Sequence, residues 1–262
     1  MLTELKQLAI VTKQGEADEQ FEAAKNYARS IGINNNKTQA FGLFLKAALQ
    51  GHVEAAHHIG LCYNNGDGIE VNAEKAFEWF LKAAEQGFAE SQNCVGVCYL
   101  KGIGTAENIP TALQWFIKAA DAGILLSHYN KGLCYINDQN YQLAFESFQL
   151  VANQGYPDAQ DMLAECYYNG YGTPQDTQQA FQLWSHAAIW SNHKESQYKL
   201  AEFCYSQNGL LYNPQQAFNL WLQSAIQGFK PSQYKVAECY NKGIGTTLNE
   251  NQANFWTTKY YS

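Results

Sequence analysis

The sequence predicts an all-α solenoid of short helix-pair repeats, and three observations predict it. Small residues recur at Ala24, Gly60, Gly96, Gly132, Ala164, Ala201 and Ala237, in steps of 36, 36, 36, 32, 37 and 36. A second small register follows at Ala40, Ala76, Ala112, Ala144, Ala180, Ala217 and Ala253. Glycines punctuate the segments between and after them. A fixed period of this size marks stacked supersecondary units, none of which can bury its apolar face alone.

Each element follows from its register. The first small residue lets two helices approach closely. Three positions later stand Tyr27, Tyr63, Tyr99, Tyr135, Tyr167 and Tyr240, with Cys204 as the exception, and a ring there is expected to fill a gap between paired helices. The second register carries Phe41/Phe44, Phe77/Phe80, Leu113/Phe116, Phe145/Phe148, Phe181/Trp184 and Phe218/Trp221, spaced three apart on one helix stripe and therefore core. Paired alanines such as Ala83-Ala84 follow, and Gly51, Gly87, Gly123, Gly155 and Gly228 then suit a left-handed helix end.

Between the two helices lie Gly66-Asp67-Gly68, Gly102-Ile103-Gly104, Gly170-Tyr171-Gly172 and Gly243-Ile244-Gly245, which supply the positive φ of a tight loop. A phosphate-cradling loop would follow a strand, whereas these follow a helix and recur with the period. The units run 15–51, 52–87, 88–123, 124–155, 156–191, 192–228 and 229–262 in one domain, after a lead-in at 1–14. The fourth is four residues short and lacks the glycine loop, and the sixth has Gln207 where the loop glycine belongs.

With 262 residues, 46% of them apolar and 16% charged, the chain can bury a substantial core. A net charge of -7 disfavours nucleic acid and anionic membrane, both of which need basic patches. Neither a signal-type apolar segment in Met1 to Lys13 nor a membrane-spanning apolar run is visible, so the expectation is a cytoplasmic protein without membrane insertion.

The string from Ala55 to Gly87, with Ile59-Gly60, Tyr63, Gly66-Asp67-Gly68, Lys75-Ala76, Trp79-Phe80 and Lys82-Ala83-Ala84, resembles the Sel-1-like repeat, a relative of the tetratricopeptide repeat. The resemblance covers about residues 15 to 262 as seven units. It implies a right-handed superhelix of antiparallel helix pairs acting as an adaptor, with the first helix of each pair on the concave side. It implies no catalysis and no cofactor. The last helix, with Asn254, Thr257 and Thr258 at otherwise apolar places, reads as a polar terminal cap.

Some cysteine-rich relatives staple each repeat with a cysteine pair. Here Cys62, Cys98, Cys134, Cys166 and Cys239 share one register position, once per unit, and neighbouring units stand too far apart for bridges. Buried, reduced thiols are expected, sharing a stripe with a small-residue seam at Ser91, Ser127, Ala159, Ser196 and Ser232. No paired Cys-x-x-Cys with zinc spacing occurs, and His52, His57, His58, His128, His186 and His193 form no His-Glu-x-x-His, so no metal is expected and most of these histidines are read as surface residues.

If first helices line the concave face, its exposed positions divide in two. The N-terminal half, His57, Leu61, Asn64, Asn93, Val97, Leu100, Tyr129, Leu133 and Ile136, is largely apolar. The C-terminal half, with Asp158, Asp161, Glu165, Tyr168, Glu195, Tyr198, Glu202, Tyr205, Tyr234, Glu238 and Asn241, is acidic and aromatic. Glu165, Glu202 and Glu238 form a ladder expected to await a cation, since tyrosine beside carboxylate favours gripping arginine or lysine. The alternative is that these glutamates are merely solvated and that Leu61, Val97 and Leu133 complete the core. The expected partner is a protein or peptide, basic and partly apolar. Competing readings are an immunity protein or chaperone that masks a basic toxin, and, more remotely, a hydrolase acting on peptidoglycan or β-lactams.

Overall fold

A computed structural model describes residues 2–29, 34–206 and 212–262, with side chains described from 14 to 29, 36 to 206 and 212 to 262. Among the described residues there are fourteen α-helices and no strand: α1 (Leu2–Arg29), α2 (Asn34–Leu49), α3 (Val53–Asn65), α4 (Ala73–Glu85), α5 (Ala89–Lys101), α6 (Ile109–Asp121), α7 (Leu125–Asn137), α8 (Tyr141–Ala152), α9 (Pro157–Asn169), α10 (Thr177–Trp190), α11 (Lys194–Tyr205), α12 (Pro214–Ile226), α13 (Lys230–Lys242) and α14 (Glu250–Tyr261). The lead-in is thus helical backbone continuous with the first unit's first helix. Gln207 lies outside the described residues.

From α1 to α6, and again from α8 to α14, each helix packs on the next. The chain falls into two compact bodies, residues 1–134 and 135–262. Both are built from the same local rules. Five second helices start on an Asn or Asp whose side chain accepts from the first turn, Asn72 from the Lys75 N–H at 2.9 Å, Asn108 from Thr111 at 3.0 Å, Asp176 from Gln179 at 2.9 Å, Asn213 from Gln216 at 3.0 Å and Asn249 from Gln252 at 3.0 Å, whereas Asn140 of α8 makes no such side-chain bond. The same residue's backbone N–H reaches back to the carbonyl of the register tyrosine, Asn72 to Tyr63 at 2.9 Å and Asn108 to Tyr99 at 2.8 Å. Each hairpin is therefore pinned at its neck.

The small registers do what their size allows. A Cβ on Gly60 would lie 2.5 Å from the Phe80 ring, and one on Gly96 2.5 Å from Phe116. In the interhelical loops the second glycine has a role beyond its positive φ. A Cβ on Gly104 would lie 2.1 Å from the Ala73 carbonyl oxygen, and one on Gly172 2.2 Å from that of Tyr141. The loop of one unit rests on the first turn of the preceding unit's second helix. Where the sequence lacks a closing glycine, Asn192 adopts φ 51, a conformation that asparagine tolerates better than most residues, and in the fourth unit's turn Gln139 adopts φ 56.

The register tyrosines pack within their own pair, as Tyr63 under Lys75 Nζ at 5.4 Å and Tyr99 on the cluster of Ala112 and Phe116, and also reach the preceding unit. Phe77 of α4 meets Tyr99 of α5 edge-on at 5.3 Å and 84°, Phe145 meets Tyr167 at 5.3 Å and 90°, and Phe218 meets Tyr240 at 5.3 Å and 82°. In the sixth unit, where Cys204 holds the tyrosine position, the ring moves one residue earlier and Phe203 meets Phe181 at 5.3 Å. On α14, Asn254, Thr257 and Thr258 are exposed as a polar cap would require, but Phe255 and Tyr261 are exposed beside them.

Candidate functional site

In the second body an open cleft of about 1150 Å³ is bounded by α9, α10 and α11. First-helix positions supply one wall: Glu165 and Tyr168 from α9, and Tyr198, Glu202 and Tyr205 from α11. The amphipathic period places them there, since residues three and four apart share a helix face. The first turn and core stripe of α10 close the other side with Thr177, Gln178, Phe181 and Trp184. Tyr168 lies over Trp184 with ring centroids 5.4 Å apart, and Tyr205 over Trp221 at 5.3 Å. Three more members of the predicted C-terminal half, Tyr234, Glu238 and Asn241, line a smaller recess of about 230 Å³ against α14, and Asp158, Asp161 and Glu195 line neither.

The glutamate ladder holds its cations already, which corrects the reading that it awaits one. Lys199 of α11 pairs with Glu165 of α9, Lys235 of α13 with Glu202 of α11 at 3.3 Å, and Lys242 with Glu238 at 2.7 Å. The first two lysines stand two residues before the small register of the next unit, so helix rotation aims them at the preceding unit's glutamate. Burial works against the Lys199 charge, yet the bond and charge of Glu165 outweigh it and hold the ammonium above its ordinary range. Burial also pushes the Tyr198 hydroxyl up.

Of the positions three residues before the small register, His57, Asn93 and Asp161 bond to the next unit, whereas Tyr198 and Tyr234 line the two recesses. His57 Nδ1 lies 2.8 Å from Ser91 Oγ, Asn93 accepts from Ser127 Oγ at 2.9 Å and from Asn130 at 2.9 Å, and Asp161 accepts from Ser196 Oγ at 2.9 Å. His57 and Asp161 are buried, and the serines of the expected seam are wholly so. Burial raises the Asp161 carboxyl against the lowering effect of the Ser196 bond. Leu61, Val97 and Leu100 are half-buried against neighbouring core clusters. Tyr129, Leu133 and Ile136 are also half-buried, and Asn64 is exposed. Glutamines one residue after the seam, overlooked in the sequence, clamp the preceding helix end: Gln92 donates to Ala84 O at 3.3 Å and Gln233 to Ala225 O at 3.3 Å.

The histidines are not mainly surface residues, as the sequence suggested. Phe21 stacks on His52 at 4.2 Å and Phe44 on His58 at 4.7 Å, while only His186 among the six is exposed. Burial lowers His57 to about 4 and also lowers His58. His193 and Ser196, with Asp158 nearby, bring together the residue types of a hydrolytic triad: His193 Nδ1 is 2.8 Å from Ser196 Oγ and Nε2 is 3.2 Å from Asp158. Ser196 is wholly buried, however, and His193 is the N-cap of α11, accepting from the Ser196 backbone N–H.

All seven cysteines are free thiols, six of them buried. Burial pushes Cys62 up to about 11 and Cys166 up to about 12, so they are poor nucleophiles at neutral pH. Among the described residues no group of three or more His, Cys, Asp or Glu could hold a metal ion, and no helix is long and apolar enough to cross a membrane.

These features define an α-helical repeat protein with a cleft between stacked units. The Sel1 repeat profile matches residues 20–52, 53–88, 89–124, 157–188, 194–229 and 230–259, leaving the short fourth unit unmatched. The chain belongs to the Sel1 repeat family. A Sel1 repeat protein from Oxalobacter formigenes is 28% identical with a TM-score of 0.80, over 94% of this chain and 96% of that one. A protective antigen present in uropathogenic Escherichia coli strains, displaying an SLR fold, is 30% identical with a TM-score of 0.72 over 95% of this chain, which spans 54% of that antigen. An immunity protein from Pseudomonas aeruginosa shares the fold at 17% identity and a TM-score of 0.55, over 80% of this chain and 81% of that one. No match was found among curated proteins.

Proposed function

We propose that this chain is a non-catalytic interaction scaffold that holds a segment of a protein partner in the cleft between α9, α10 and α11. The observation that carries the reading is the convergence of five first-helix positions, Glu165, Tyr168, Tyr198, Glu202 and Tyr205, on one open recess. Tyrosine supplies large contact area at low entropic cost, and the two carboxylates beside the rings favour a partner with basic as well as apolar side chains. A partner's arginine would compete with Lys199 and Lys235 for those carboxylates, so the contact would be exchangeable. The net charge of -7 favours basic partners generally.

Selection of a random peptide library on the full chain, counter-selected on a Tyr168→Ala/Tyr205→Ala variant, tests this. Enrichment of peptides with basic and apolar residues that bind the wild-type chain alone is the expected result. Peptides that bind both proteins equally would sink the reading. A salt-sensitive complex with a Kd in the nanomolar range or below would favour the masking of one basic partner, as an immunity protein or chaperone does, over a general adaptor.

A further inference from the structure

Nine residues after the second small register, where second helices end, the second to fourth units carry Glu85, Asp121 and Asn153, all exposed. The fifth and sixth units place Ile189 and Ile226 there, 66% and 69% exposed, and Trp190 follows Ile189 at 79%. Other units follow with Gln50, Gln86, Ala122, Gln154 and Gln227. Leu49 of the first unit has no such neighbour, since Glu85 holds the position in the next. A solvent-facing position that takes Glu, Asp or Asn elsewhere does not need an apolar residue for folding. Ile189, Trp190 and Ile226 together present roughly 400–500 Å² of apolar surface, a size that marks contact surfaces on single chains.

These side chains belong to one continuous edge of the second body. His193 Nε2, at the start of α11, lies 3.2 Å from Asp158 in the first turn of α9, and Gln227 after α12 donates to Asn192 at 3.4 Å. From α9 to α13 each helix packs on the next. The edge therefore runs from Asp158 at the start of α9, through Ile189 and Trp190 at the end of α10, to Lys194 and Glu195 at the start of α11. It continues with Ile226 at the end of α12 and Lys230 at the start of α13. Asp158 and Lys230 stand one repeat to either side of Lys194 and Glu195, which lie 3.9 Å apart. This order is its own complement. A two-fold axis across the edge at Lys194 and Glu195 sets Asp158 against Lys230, Ile189 and Trp190 against Ile226, and the central ion pair against its image. Two carboxylates balance two lysines here, in a chain of net charge -7, so the edge adds no net repulsion between copies.

We propose that this edge is a homodimer contact between two copies of the chain related by a two-fold axis. Such a contact needs a self-complementary patch, which the opposite charges at the two ends and the apolar residues between them supply. The apolar area falls short of the roughly 800 Å² that each partner gives to a standard interface, so the dimer is weak, with a Kd between about 10 µM and 1 mM. None of these residues lines the cleft, so the dimer and the peptide reading stand or fall separately.

Analytical ultracentrifugation of the full chain across that concentration range tests it. The mass should rise from one chain towards two and no further. Trp190→Ala removes an exposed ring, and should weaken association by about tenfold or more with the thermal midpoint kept. Lys230→Glu and Asp158→Lys should each weaken association, and an equimolar mixture of the two should restore it, because both end contacts then pair opposite charges. A chain that stays single at the highest concentration, growth beyond two copies, unchanged association of Trp190→Ala, or a mixture no tighter than either variant alone overturns the inference. If Asp158→Lys lowers the thermal midpoint, Trp190→Ala and Lys230→Glu decide. A chain that stays single yet floats with phosphatidylcholine vesicles assigns the edge to a lipid surface and overturns the dimer.

Discussion

Lys235 Nζ lies 3.3 Å from Glu202 Oε1, tying α13 to α11 through the carboxylate that faces the cleft. The half-exposed pair contributes about 0–1 kcal/mol to stability. Lys235→Ala should accordingly move the thermal midpoint by no more than about 4 °C, while tightening binding of an arginine-bearing, library-selected peptide by freeing the carboxylate. Calorimetric titration at low and high salt checks this. Weaker binding would mean that Lys235 itself contacts the partner.

The second loop glycine is required by stacking as well as by its own backbone. Gly104→Ala, with φ +69 and a Cβ 2.1 Å from Ala73 O, should cost at least about 3 kcal/mol. Gly87→Ala, with φ +90 and nothing within 4 Å, should cost only about 1–2 kcal/mol of backbone strain. Urea unfolding of both variants measures the difference, and equal losses would remove the stacking role.

His57 is neutral in the fold because burial lowers it from 6.5 to about 4. Its neutral form is favoured by folding, so that contribution is complete above pH 6.5 and is lost as the pH falls toward 4, by up to roughly 3 kcal/mol. His57→Asn copies Asn93, which holds the equivalent position and accepts from Ser127. The variant should lose less stability than wild type between pH 7 and pH 4.5. Asp161 is present in both proteins, so its opposite titration cancels. Parallel losses would contradict the assignment.

The cysteines should behave as core. With Cys94 pushed up to about 12 and Cys98 to about 11 by burial, thiol reagents at pH 8 should label the native chain slowly. Half-buried Cys94 should react ahead of the six buried thiols, and unfolding should release all seven. Rapid labelling of Cys62 or Cys166 in the native chain would overturn this.

Much of the fold was legible because its rules are local. Gly60 and Gly96 had to be small, Gly66 and Gly102 had to be left-handed, and the period announced both. What escaped were contacts between helices some thirty residues apart. Lys199 stands four residues after Glu195 and Lys235 three before Glu238 on their own helices, yet they pair with Glu165 and Glu202, which depends on how one unit is rotated on the next. The lysine two residues before the small register, in units whose predecessor carries the glutamate, was the available signal. Histidine misled for a similar reason: His52 and His58 look polar in isolation, but their faces stack on Phe21 and Phe44 from other helices. The cleft was half visible. Tyr168, Tyr198 and Tyr205 were legible from first-helix periodicity, whereas Trp184 was read only as core because its stripe is shared with phenylalanine in four units.

Hydrogen–deuterium exchange of the full chain with and without a library-selected peptide tests the binding cleft most directly. Protection concentrated in 165–169, 177–184 and 198–206, and absent in Tyr168→Ala/Tyr205→Ala, is the predicted result. Protection confined to α2 to α6, or no protection in those three segments, would contradict it.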